Sequence, residues 1–109
     1  MMANKNKLLI KQDQHYRGKD WWNWSVWLEG READLKEVQE VKWHLHPTFN
    51  PSVVCRRDRS DGFRLESSGW GTFTLMAEIT MSDGSTHLIR HELELYYPEP
   101  EEWQRAERK

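Results

Sequence analysis

Two short segments of the chain combine aromatic rings, hydroxyls and glycines in a pattern suited to ligand binding. The first is His46-Pro47-Thr48-Phe49-Asn50-Pro51, and the second is Gly69-Trp70-Gly71-Thr72-Phe73. The two prolines stiffen the first segment, which would fix a hydroxyl and a ring in space. The two glycines would allow backbone torsions around the tryptophan that other residues resist. Loop aromatics of this kind commonly contact ligands, so the pattern indicates non-covalent recognition.

Each segment also has a purely structural interpretation. The ring of Phe49 could plug one end of the fold, and the indole of Trp70 could fold back over that end. Either arrangement would bury apolar surface without forming a site. The sequence pattern leaves both interpretations open.

Four histidines raise the question of a metal site. His44 and His46 share one face of a predicted strand, and His87 and His91 lie on another strand. Two such residues can share a metal ion, and a third from a neighbouring strand would complete the site. No carboxylate or thiolate stands at a recognisable ligand spacing. We therefore expect no metal and no cofactor, and we interpret His44 and His87 as hydrogen-bonding strand residues, whereas His46 belongs to the first aromatic segment.

The sequence contains no catalytic motif. A nucleophile elbow, a phosphate-binding glycine loop and an HExxH helix are all missing, and Cys55 has no feature of an activated thiol. The basic stretch Arg56-Arg57-Asp58-Arg59, followed by Arg64, is interrupted by acidic residues and is typical of a solvated turn. We predict a protein that is not an enzyme and does not bind nucleic acid. A small His- or metal-dependent enzyme is the third alternative.

Composition places the chain among compact single-domain proteins. It has 109 residues, of which 37% are hydrophobic and 31% charged, with seven Trp and a net charge of −2. So many large aromatics argue against disorder. The single Cys55 cannot form an internal disulfide, which fits a reducing compartment. Without a membrane-length apolar run or a signal peptide, the expected location is the cytoplasm, with no membrane insertion.

Alternation of apolar and polar residues predicts the elements that position the two segments. We expect seven or eight short strands and little helix, arranged as a two-sheet antiparallel sandwich. Ala33–Gln39 could form a helical turn, and residues 67–71 are predicted to be a loop. The predicted strands are Lys7–Gln12, Trp21–Leu28, Val41–His46, Ser52–Arg56, a strand that opens at Phe63, Thr72–Met81 and Thr86–Tyr97.

The expected domain organisation has three parts. Residues 1–16 would be a flexible segment, with an edge strand as the alternative. Residues 17–98 would form the sandwich domain. Residues 99–109 would be a charged tail with a short helix around Trp103.

Longer stretches around the two segments resemble the YEATS family, in its prokaryotic branch. Trp22–Gly30 resembles the opening strand of that family, and Val41–Phe49 resembles the strand and loop ending in Leu-His-x-Ser/Thr-Phe. Phe63–Phe73 resembles the element ending in Gly-Trp-Gly-x-Phe, and His91–Leu95 resembles the closing strand. The four stretches occur in the family's order, and the resemblance implies an immunoglobulin-like β-sandwich from a bacterium.

The resemblance also implies a binding site, because eukaryotic members of the family read acylated lysine on histone tails. Phe49 and Trp70 would form two walls of an aromatic slot, with Thr48 as the pocket hydroxyl, His46 beside it and Gly69 at the floor. The complete set of implied ligand-binding residues is His46, Thr48, Phe49, Gly69, Trp70, Gly71 and Phe73.

An aromatic slot would select for a flat, uncharged group. Acylation removes the lysine charge and leaves a planar amide that can stack between rings. An unmodified lysine would be rejected, because its ammonium would lose water between apolar rings. The expected partner is a protein or peptide with an acylated lysine, another flat amide-bearing ligand or an unmodified peptide segment.

The alternative function is structural. The same sandwich could join a partner protein through a sheet edge or through an exposed face bearing Trp21 and Trp27. In that case the two aromatic loops would have no ligand.

Overall fold

The computed structural model describes residues 8–98 and 105–109, and within these residues the fold is all-β. The prediction of an antiparallel sandwich is confirmed. In this part of the chain no helix is long and apolar enough to cross a bilayer. The elements are β1 (Leu9–Tyr16), β2 (Trp22–Glu29), α1 (Glu32–Leu35), β3 (Val38–His44), β4 (Val53–Arg56), a 3₁₀ turn (Arg59–Asp61), β5 (Leu65–Gly69), β6 (Thr74–Met81) and β7 (Thr86–Glu92).

The strands form two sheets with an immunoglobulin-like arrangement. One sheet has the order β1-β2-β5, and the other has the order β4-β3-β6-β7. The neighbouring strands within each sheet are antiparallel. The end of β5 pairs with the start of β2, where Gly69 lies opposite Trp22. This register brings the Gly69–Phe73 segment to the same end of the sandwich as the loop that follows β3.

The core lies between the two sheets and follows the predicted alternation. The apolar residues that alternate along β2 and β6 are all buried: Trp22, Trp24, Val26, Leu28, Leu75, Ala77, Ile79 and Met81. Two central indoles also satisfy their N–H groups: Trp22 donates to the Tyr96 carbonyl at 2.9 Å, and Trp43 donates to the Phe63 carbonyl at 2.8 Å. Because a buried N–H without a partner costs free energy, these bonds let large rings occupy the centre of the core.

Several element boundaries differ from the sequence prediction. Residues 67–69 were predicted to be loop but are strand, because they pair with Trp22–Trp24 in β2. The last strand ends at Glu92 rather than Tyr97, although Leu93 and Leu95 remain buried. The helical turn is limited to Glu32–Leu35, and β3 starts at Val38, earlier than predicted.

The observed sandwich extends beyond residues 17–98 on both sides. Strand β1 pairs with β2 along its whole length, so the first segment contains an ordered edge strand. At the other end, residues 105–109 bond to the domain through isolated bridges from Arg105 to Tyr96 and from Arg108 to Thr72. The helix expected around Trp103 lies outside the described residues.

Candidate functional site

A cavity of about 500 Å³ opens at the end of the sandwich where the two aromatic segments meet. Its volume is within the usual range for small-ligand pockets. The lining combines five of the seven predicted site residues with four that the sequence did not indicate. The lining residues are Trp21, His46, Thr48, Phe49, Asn50, Ser68, Gly69, Trp70 and Lys109. We call this cavity the aromatic slot.

The loop from His46 to Pro51 is braced by its own hydrogen bonds. The Phe49 backbone N–H donates to the His46 carbonyl at 2.9 Å. Just outside the loop, the Leu45 N–H donates to the Ser52 carbonyl at 2.7 Å and closes its base. Pro47 adds a fixed φ, so the loop presents Thr48 and Phe49 in one conformation.

The histidine and the hydroxyl of this loop form a pair with a defined proton arrangement. The Thr48 backbone N–H donates to Nδ1 of His46 at 3.2 Å, so this nitrogen carries a lone pair. The Thr48 hydroxyl lies 3.0 Å from the same nitrogen and donates to it. Neutral His46 therefore carries its proton on Nε2, and the lone pairs of the Thr48 oxygen stay available as acceptors.

The ring of Phe49 is held from behind by two buried rings. Its centroid lies 5.3 Å from that of Phe73 and 6.1 Å from that of Trp24. The Phe73 side chain is only 2% exposed, so it supports the wall of the slot and does not line its surface. Of the predicted site residues, Phe73 and Gly71 are thus the two that lie outside the lining.

Trp70 is the exposed wall of the slot. Its side chain is 45% exposed, so the indole is not buried in the core. Trp21 is 44% exposed and lines the same cavity. The alternation in the sequence predicted that Trp21 is exposed. It did not predict that Trp21 lines the same cavity as Trp70.

Of the two glycines beside Trp70, Gly71 is required for space, and neither has the positive φ for which a glycine would be needed. A Cβ on Gly71 would lie 2.8 Å from the Glu107 carbonyl oxygen and 2.8 Å from Cγ of Lys109. A Cβ on Gly69 would lie 3.8 Å from Cζ of Phe49, at the surface of the slot. Gly71 therefore leaves room for residues 107–109, whereas Gly69 lies in the lining of the slot, where a Cβ would meet only ordinary contact distances.

The side chain of Lys109 projects into the slot. Its Nζ lies 4.1 Å from the ring centroid of Phe49, 5.6 Å from that of Trp70 and 5.8 Å from that of Phe73. Burial lowers the pKa of this ammonium. Lys109 was not predictable as a site residue, because it lies in a charged tail far along the chain from both loops.

The arrangement of loops and strands matches a known family. A family model described as the prokaryotic YEATS domain matches residues 22–94. The chain belongs to the YEATS family. The resemblance inferred from the four sequence stretches is thereby confirmed.

Relatives of this YEATS domain have been described in yeasts. The transcription initiation factor TFIID subunit 14 of Schizosaccharomyces pombe is 34% identical over 88 residues, which are 77% of this chain and 35% of that protein. This chain therefore spans about a third of that relative.

Solved structures share the fold at low sequence identity. The Yaf9 YEATS domain bound to H3K27ac has a TM-score of 0.63 and 16% identity, covering 97% of this chain and 86% of the other. The Yaf9 YEATS domain recognising an H3K122suc peptide has a TM-score of 0.60 and 16% identity, covering 95% and 86%.

Two further histidines of this YEATS domain have separate local partners. His44 Nε2 lies 2.8 Å from the Glu78 carboxylate, and His91 Nε2 lies 2.8 Å from Oε1 of Gln12. Burial, opposed by nearby Glu94, lowers the pKa of His91. Across residues 8–98 and 105–109, no three His, Cys, Asp or Glu side chains come close enough to hold a metal ion.

The arginines of the basic stretch and the ring of Trp27 contact neighbouring side chains. Arg57 contacts Glu40 at 3.1 Å, and Arg64 contacts Glu66 at 3.2 Å. The Arg64 guanidinium also lies 4.6 Å from the ring of Trp27. The predicted Trp21 and Trp27 face is thus divided, since Trp21 lines the slot and Trp27 is half-buried under an arginine.

Proposed function

We propose that this protein is a non-catalytic reader module that binds an acylated lysine of a protein or peptide partner in the aromatic slot. The observation that carries the proposal is the pairing of a supported ring, Phe49, with an exposed ring, Trp70, on one cavity of about 500 Å³. A planar amide stacks well on aromatic faces, and an uncharged acyl chain loses little on leaving water.

The polar groups beside the rings match the needs of an amide. The oxygen of Thr48 can accept the ligand N–H, because its hydroxyl proton is directed at His46. The Trp70 backbone N–H is the candidate donor to the ligand carbonyl. An ester has no N–H for the Thr48 oxygen, and an alkane would leave both polar groups of the slot without a partner. Each buried group left unpaired costs about 1–3 kcal/mol, so the two groups would favour an amide.

Family membership supports the same function. Two structural neighbours are YEATS domains solved with an acetylated and a succinylated histone site, named H3K27ac and H3K122suc in those structures. The partner of the present chain would supply a lysine side chain with a comparable amide. The histone identity of those ligands is a property of the Yaf9 complexes.

Calorimetric titration with a short peptide containing one crotonyl-lysine tests the proposal. Trp70→Ala removes an exposed wall and should weaken binding about tenfold or more, since stacking and burial of one ring are lost. Thr48→Val removes the hydroxyl at nearly constant volume and should weaken binding about five- to tenfold. Thr48→Ser keeps the hydroxyl and should bind like the wild type.

Trp27→Ala is the matched control for loss of an indole outside the slot. We expect this variant to retain wild-type affinity, because Trp27 does not line the cavity. Equal affinity of the wild type, Trp70→Ala and Thr48→Val would contradict the proposal. Loss of a protein partner on Trp27→Glu, with the slot variants unaffected, would favour the structural alternative.

A further inference from the structure

The aromatic slot already contains a lysine side chain, which comes from the same chain. The Nζ of Lys109 is closer to the face of Phe49, at 4.1 Å, than to either other ring of the site. This distance is within the range of a cation–π contact. The unmodified ammonium thus lies against the ring that forms one wall of the slot.

The backbone around Lys109 is fixed to the domain. The Lys109 N–H donates to the Thr72 carbonyl at 2.7 Å, and the Thr72 N–H donates to the Glu107 carbonyl at 2.9 Å. Ala106 is 5% exposed and belongs to the core. The segment is thus anchored beside the slot, and the side chain of Lys109 reaches the lining of the slot from this fixed backbone.

The charge of Lys109 is balanced by rings and not by acids. In the part of the chain that the structure describes, no carboxylate forms an ion pair with this ammonium. Burial alone accounts for the lowered pKa of Lys109. The ring faces of Phe49, Trp70 and Phe73 therefore provide the attraction that keeps the ammonium in the slot.

The contact lies outside the part of the chain that matches the family model. That match covers residues 22–94, whereas the anchored segment covers residues 105–109. The two regions approach each other closely at Gly71, where a side chain would collide with Glu107 and Lys109. A glycine between Trp70 and Thr72 thus allows the segment to approach the slot.

We propose that Lys109 is an internal ligand of the aromatic slot and that an external acyl-lysine binds only by displacing its side chain. The second half of this statement rests on the proposed function, whereas the first half does not. Displacement requires rotation of the Lys109 side chain and leaves the backbone bonds of the segment intact. The slot accommodates this unmodified lysine, because the residue is held in cis and its charge faces the rings.

Titration of the full chain with the crotonyl-lysine peptide tests the competition. Lys109→Ala should bind the peptide about three- to tenfold more tightly than the wild type, which corresponds to the loss of one cation–π contact. Lys109→Arg keeps a cation on a long side chain and should bind like the wild type. Lys36→Ala removes an equal charge from an exposed position beside α1 and should leave the affinity unchanged. An affinity of Lys109→Ala equal to or below that of the wild type would overturn the competition.

A second measurement tests the internal contact without any ligand. In proton NMR spectra of the full chain, ring currents should shift the Cε protons of Lys109 upfield of those of the other lysines. Phe49→Leu, which removes the nearest ring, should return them towards the common lysine position, and the amide spectrum reports whether the variant is folded. Unshifted Cε protons in the wild type would overturn the internal contact.

The two measurements separate the two proposals. If no variant binds the peptide while the Cε protons are shifted, the proposed function fails and Lys109 remains the ligand of its own slot. If the peptide binds but the Cε protons are unshifted, the reader function stands and the internal ligand is refuted.

Discussion

The two loops that form the slot are held in place by different means. The loop from His46 to Pro51 is stabilised by bonds between its own residues, such as the pair of His46 and Thr48. The segment from Gly69 to Phe73 is stabilised from outside, where Thr72 exchanges two backbone hydrogen bonds with residues 107–109. One wall therefore forms from nearby sequence, while the other depends on a segment that arrives from the end of the described chain.

This difference separates a rigid wall from an adjustable one. Phe49 rests on the buried rings of Trp24 and Phe73, so its position is coupled to the core. Trp70, by contrast, is exposed over nearly half of its surface. Regions with few buried contacts open most readily, so we expect ligand-dependent adjustment at the Trp70 wall.

The largest expected effect comes from removing the ring that connects the two walls. Phe73 lies in the segment of Trp70 but supports the ring of Phe49. Phe73→Ala should lower the free energy of unfolding by about 3–5 kcal/mol, because it leaves a cavity in the core. Urea unfolding followed by tryptophan fluorescence measures this loss. Phe73→Leu, as the control, should lose about 1–2 kcal/mol, and equal stability of both variants with the wild type would show that the walls are independent.

The second effect distinguishes the two glycines. Gly71→Ala places a Cβ against the Glu107 carbonyl and should lower the free energy of unfolding by about 1–3 kcal/mol. Gly69→Ala meets only ordinary contacts, the closest at 3.5 Å from Nζ of Lys109, and should change stability by less than about 0.5 kcal/mol.

Amide hydrogen exchange shows whether the loss of stability in Gly71→Ala is confined to the Trp70 wall of the slot. In Gly71→Ala the amides of Thr72 and Lys109 should exchange faster, while the amide of Phe49 keeps its wild-type protection. Loss of protection at Phe49 as well would mean that both loops depend on the terminal segment.

The smallest expected effect is a loss of amide protection in residues 105–109, the terminal segment, at acid pH. Hydrogen bonds from Thr74 and Arg108 lower the pKa of Glu92, and nearby His91 acts in the same direction. A carboxyl group with a lowered pKa in the folded state stabilises it above the pKa of the unfolded state, and the contribution is lost as the pH falls through the folded value. Between pH 5 and pH 3, the protection factor of the Lys109 amide, which is the intrinsic exchange rate divided by the observed one, should therefore fall.

The matched variant for this measurement is Arg108→Ala, which removes the bonds to Glu92 and Thr74. Its Lys109 amide should exchange faster than that of the wild type at pH 5 and should change less on acidification. A wild-type Lys109 amide whose corrected exchange is constant down to pH 3 would show that Glu92 does not anchor the segment.

Much of the fold and part of the site were predictable because the signals are local. Alternation in β2 and β6 identified the buried faces, since side chains on a strand alternate between core and solvent. The two aromatic motifs identified Phe49 and Trp70, and the structure lines one cavity with both. Strand ends were less predictable, because the pairing of residues 67–69 with β2 depends on a distant strand.

The sequence by itself determined the class of fold, the family and the two loops that carry the rings, because each is encoded by spacing over a few residues. Only the tertiary structure decided that Phe73 supports the slot from behind, that Gly71 makes room for another segment and that Lys109 enters the slot. These three features join residues separated by at least 20 positions along the chain. The contacts of Gly71 and Lys109 depend on the path of the backbone after β7, and the contact of Phe73 depends on two loops that meet at one end of the sandwich. Residue spacing carries no signal for either.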